Sequence, residues 1–112
     1  MQEFTFSLIP VADAMAAGAV MVRPGSGGYT ITVIARGLPA KSQHAVHLHA
    51  GQCPSAGFHL RVLGSLTASA AGTGQLASFV PGRYVGNGLF VIVYAGPLPG
   101  ALGACANLAG MA

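Results

Sequence analysis

The residues able to do chemistry lie close together. His44, His47, His49 and His59 are all the histidines of the chain, and Cys53 sits among them. The core of the group reads His44-Ala45-Val46-His47-Leu48-His49. On a strand, side chains alternate faces with period two. His47 and His49 then share one face, and His44, Val46 and Leu48 share the other. Two imidazoles two positions apart are within reach of one metal ion. His59, returning after a glycine-containing turn, could be the third. Imidazole suits copper and zinc alike, and the ordering of divalent affinities favours copper at a nitrogen site. A lone histidine would read as an ordinary strand residue; three that converge point to metal.

The rest of the composition narrows the choice. The chain has 112 residues, 53% of them hydrophobic, with 17 glycines, 7 prolines and a formal net charge of +3. That length suits a single domain over 1–112 with its own core. No apolar run is long enough to span a membrane. The charges are Arg23, Arg36, Lys41, Arg61 and Arg83 against Glu3 and Asp13, scattered along the chain. Nucleic-acid binding needs clustered lysine and arginine, so it is poorly supported. Met15, Met21 and Met111 are isolated and read as gap-fillers before they read as soft ligands.

Elements must position these residues, and the pattern predicts strands. Alternation or β-branched runs mark 4–8, 18–23, 29–35, 43–49, 60–68, 75–80, 89–94 and 104–108. The apolar run at 89–94 suggests burial on both faces. Gly64 marks a bulge or the entry point of the strand. Glycine- and proline-rich stretches at 24–28, 51–57, 70–74, 81–88 and 97–103 read as turns and loops. Residues 11–17 read as a loop or a short helical turn. About eight short strands without a long helix predict an all-β antiparallel sandwich or barrel. Cys53 and Cys105 are either two buried thiols or one long-range disulfide of an exported protein.

At the histidine strand the chain resembles the copper/zinc superoxide dismutase family, whose signature there is H-x-x-H-x-H. The likeness continues through Cys53 to His59, spaced as in that family, and to Cys105 in the last strand. The resemblance implies a Greek-key β-barrel or sandwich, a Cys53–Cys105 disulfide, and secretion to the periplasm or cell exterior with any signal peptide removed. It also implies copper on His47, His49 and His59, with His44 structural.

Departures from the family pattern are specific. After His59 comes Leu60-Arg61-Val62-Leu63-Gly64, with no histidine left for a zinc site and Val62 where the family has an aspartate. Tyr94 stands where the family has its fourth copper histidine. It reads either as a core-edge tyrosine with a hydrogen-bonded hydroxyl or as a weak fourth ligand. Leu102 replaces the arginine that attracts superoxide, and residues 95–101 carry no charge. Arg83 could take that arginine's place if its loop folds over the site, although no spacing argues for it. These features predict a copper-binding, zinc-free domain with weak or absent dismutase activity that holds or delivers copper. Two alternatives stand beside it: a genuine copper-only superoxide dismutase, and a metal-free structural or interaction β-sandwich.

Overall fold

A computed structural model of the chain describes residues 3–11, 14–82 and 88–108, with backbone alone for 55–58. Eight strands form the molecule: β1 (Phe4–Pro10), β2 (Ala17–Gly25), β3 (Gly28–Arg36), β4 (Gln43–Gln52), β5 (Ser55–Thr67), β6 (Gly74–Pro81), β7 (Leu89–Tyr94) and β8 (Leu102–Leu108). They make one antiparallel sheet in the order β5-β4-β7-β8-β1-β2-β3-β6. The sheet curls into a nearly closed barrel, because its edge strands β5 and β6 come side by side without a ladder. The all-β barrel expected from the strand pattern is therefore present.

Alternation builds the interior. Val20 and Val22 of β2, Ile31, Val33 and Ala35 of β3, and Val46 and Leu48 of β4 face a common core. Val91 and Val93 of β7 and Ala104, Ala106 and Leu108 of β8 complete it. The other face of β7 is also covered. Phe90, Ile92 and Tyr94 pack with Ala45 and Cys105 in a second, smaller cluster outside the barrel. This explains why residues 89–94 show no polar alternation: both faces are dry.

Several boundaries differ from expectation. Residues 51–57 read as loop, yet β4 and β5 run on to Gln52 and from Ser55, leaving only Cys53-Pro54 between them. Pairing of Gly51 with Ala56 and Gln52 with Ser55 overrides the weak strand preference of glycine and serine. Likewise β8 begins at Leu102, inside the expected loop, and pairs there with Tyr94. Between β2 and β3 the turn shrinks to Ser26-Gly27, where Gly27 has a positive φ of 78°. Residues 14–16 carry no helical turn. The segments 12–13 and 83–87, and with them Arg83, lie outside the described residues, as does Met111.

Candidate metal centre

β4 places its histidines by parity. Val46 and Leu48 point into the barrel, so His47 and His49 point to the outer cluster, where both are buried. His44 is also buried. Its Nδ1 donates to the main-chain carbonyl of Tyr94 at 2.7 Å, and its Nε2 lies 2.6 Å from the Ser42 hydroxyl. This ring ties the start of β4 to the end of β7.

His59 reaches the same face through two bulges in the β4–β5 ladder. The ladder starts with Gln43 opposite Thr67 and Val46 opposite Gly64. His47 then pairs with Val62, leaving Leu63 extra, and His49 pairs with His59, leaving Leu60 extra. Without these two insertions Arg61 would stand opposite His49. A bulge bends its strand and re-aims side chains. Gly64, at a φ of 147°, stands at the first register shift, as the bulge reading expects, and a Cβ there would lie 3.1 Å from the Leu76 side chain.

The outcome is a triangle of imidazoles. Ring centres are 4.4 Å apart for His47 and His59, 5.4 Å for His49 and His59, and 6.0 Å for His47 and His49. His47 and His49 are buried while His59 is exposed, so the cluster is reached from solvent at the His59 corner. Burial, then the neighbouring His59 and His49, hold the His47 pKa below the ordinary 6.5. A proton is thus disfavoured on His47, and a neutral imidazole is the form that ligates metal.

Tyr94 and Phe90 wall the cluster from β7. The Tyr94 hydroxyl lies 3.1 Å from His49 Nε2, and its ring meets His47 edge-on at 5.0 Å between centres. Burial pushes its pKa above the ordinary 10.0. Phe90 stacks on His49 at 5.5 Å. Phe90 had no part in the sequence reading, although its parity with Tyr94 on one strand could have placed it there. Val62, opposite His47, is 57% exposed. Leu102 packs against the outer cluster.

The cysteines are joined. Cys53, at the tip of the β4–β5 hairpin, bridges to Cys105 of β8 with their Cα atoms 6.0 Å apart. The Cys53 N–H also donates to the Asn107 side chain at 2.8 Å. The hairpin that carries His49 and His59 is therefore anchored at its tip.

Three imidazoles that each give one nitrogen to a metal at about 2 Å would have centres roughly 5 Å apart. The observed ring spacings of this donor set straddle that figure. Its nitrogens are not yet gathered: among the described residues no three His, Cys, Asp or Glu side chains stand as a ready metal-binding group. A cavity of about 430 Å³ lies elsewhere, lined by Met15, Leu38, Pro39, His44 and Ala95 among others. No helix among the described residues is long and apolar enough to cross a membrane. No protein-family model matches the chain, and no curated protein is detectably similar to it.

Proposed function

We propose that this chain is a copper-binding domain of an exported protein, similar to the copper/zinc superoxide dismutases but without their zinc site. It holds one copper ion on His47, His49 and His59, and its role is holding or delivering copper more than removing superoxide. The observation that carries this reading is the meeting of three imidazoles on one face, at 4.4 to 6.0 Å between centres. Bound there, copper would supply a one-electron redox centre. His47 and His49 offer buried imidazoles, and the exposed His59 stands at the solvent side of the set.

Other features support the likeness. Around the barrel β3 lies beside β6, with β5 and β4 following, which is the order a Greek key produces. The disulfide joins hairpin tip to last strand, and such bridges persist in oxidising compartments. Among the described residues the site lacks what fast dismutation would use. Leu102 is apolar, and residues 95–101 supply no fixed charge to draw an anion inward.

Copper stoichiometry and electron paramagnetic resonance of the loaded protein test the reading. One copper per chain, lost in His47→Ala, is the expected result. Superoxide removal far above that of free copper, abolished by the same substitution, would favour a genuine copper-only dismutase. No copper uptake would leave the metal-free module.

A further inference from the structure

A second set of reactive side chains stands where β4 begins, apart from the imidazole triangle. Pro39 to Ser42 turn into the strand, and the Ser42 N–H donates to the Pro39 carbonyl at 3.2 Å. Lys41 in this turn has a φ of 61°, alone among the described non-glycine residues in being positive. Such a backbone is uncommon for a residue with a side chain and persists only where its surroundings fix it. The turn sets Ser42 beside His44, whose Nε2 lies 2.6 Å from the Ser42 hydroxyl.

The placement of the His44 proton follows from its partners. The Tyr94 carbonyl, 2.7 Å from Nδ1, can only accept, so Nδ1 carries the hydrogen. In the neutral ring Nε2 is then a bare acceptor, and the Ser42 O–H is the donor beside it. The Pro39 carbonyl, 2.7 Å from the same hydroxyl, competes for that one proton. A hydroxyl, an imidazole in reach of it and a fixed group orienting the imidazole make the arrangement that activates a serine nucleophile. Ser42 is half-buried. His44 forms part of the wall of the cavity of about 430 Å³, a size within the roughly 300–1,000 Å³ of small-molecule sites. Among the described residues it is the one polar side chain there, beside Met15, Leu38, Pro39 and Ala95.

We propose that Ser42 and His44 form a second site, which hydrolyses carboxylic esters whose short apolar acyl group sits in this cavity. Ser42 Oγ bonds to the acyl carbon while its proton passes to His44 Nε2. The acyl C–O bond breaks, and His44 gives that proton to the departing alcohol. Water then attacks the acyl-serine, passing a proton to His44, which restores the Ser42 hydroxyl as the carboxylic acid leaves. The Tyr94 carbonyl is a positioning group that holds the imidazole in the tautomer both steps use. This site goes beyond the proposed function and stands or falls apart from it.

The test uses the full chain with a metal chelator present, so that hydrolysis by any bound metal is removed. A fluorophosphonate probe should add to one residue, which peptide mass spectrometry should place at Ser42. The p-nitrophenyl ester of butyric acid should be cleaved faster than by an equal concentration of N-acetylhistidine, and kcat/KM should rise from the acetyl to the butyryl ester. Ser42→Ala, which leaves His44 in place, should lose the label and lower kcat/KM by at least about a hundredfold, the low end for loss of a proton-transfer partner. His44→Gln should do the same in protein that circular dichroism shows to be folded; Ser42→Ala decides the matter if it is not.

An unlabelled Ser42, or a rate unchanged in Ser42→Ala, would overturn the proposal, since imidazoles alone would then account for the hydrolysis. A kcat/KM that stays level or falls from acetyl to butyryl would overturn the cavity as the acyl site, and with it the class of ester named.

Discussion

His49 and His59 stand directly opposite each other across the β4–β5 ladder, their ring centres 5.4 Å apart. The pair is unequal: His49 is buried against Phe90, whereas His59 is exposed. Their substitutions should therefore separate binding from stability. His59→Ala should change the unfolding free energy of the metal-free protein by less than about 0.5 kcal/mol, as surface changes do. Copper affinity should still fall by at least about a hundredfold, the upper range for loss of a mere outer partner. His49→Ala should lose copper too, and cost about 1–3 kcal/mol by emptying a buried site. Urea titration beside copper competition reads both quantities.

Acid should weaken the metal-free fold through His47. Its folded-state pKa is held below the 6.5 of the free side chain by burial and by the neighbouring His59 and His49. Below 6.5 the unfolded chain takes up a proton that the folded chain resists. The stability contribution is therefore complete above 6.5 and declines as the pH falls through the window below it. Urea midpoints of the metal-free protein should be level above about pH 7 and drop as the pH falls below about 6.5. His47→Asn should flatten that drop; an equally steep fall in the variant would assign the effect elsewhere.

Gly64 sets the register that brings His59 to His49. Gly64→Ala places a side chain at a φ of 147° and 3.1 Å from Leu76. The expected cost is about 1–3 kcal/mol, the range for a strained backbone position. Shifting the bulge should also lower copper affinity in protein that remains folded. Denaturation, with circular dichroism to confirm the strand content, measures the first effect, and copper competition the second.

The Cys53–Cys105 bridge spans a sequence separation of 52. In the chain-entropy account a loop of that size contributes about 4 kcal/mol by constraining the unfolded chain. The double substitution of both cysteines by serine should lower the unfolding free energy by roughly that amount. A thiol reductant should bring wild type to the same level and leave the variant unchanged.

Much of this was legible in the chain. Alternation in residues 29–35 and 43–49 placed strands and divided His47 and His49 from Val46 and Leu48. Gly64 offered a bulge as one of two readings, and the structure gives it a backbone angle that other residues rarely adopt without strain. Where local preference and pairing disagreed, reading failed: glycine, proline and serine at 51–57 suggested a loop, and only cross-strand hydrogen bonds show them to be hairpin. The second bulge, at Leu60, has no glycine and left no signal. Nor could Asn107 be assigned its partner, which lies at the hairpin tip, distant in sequence.

Between β5 and β6 the barrel has no ladder among the described residues. Among the described residues β5 and β6 are each laddered on one side, whereas β7 is laddered on both. Opening free energies in a native protein run from near zero at such margins to the global value at the centre. His59 rides on the margin, and His47 and His49 ride one strand inward. An ion gripped by all three would act as a cross-strand rivet beside the weakest line of the molecule, slowing hydrogen exchange in β5 ahead of any other strand.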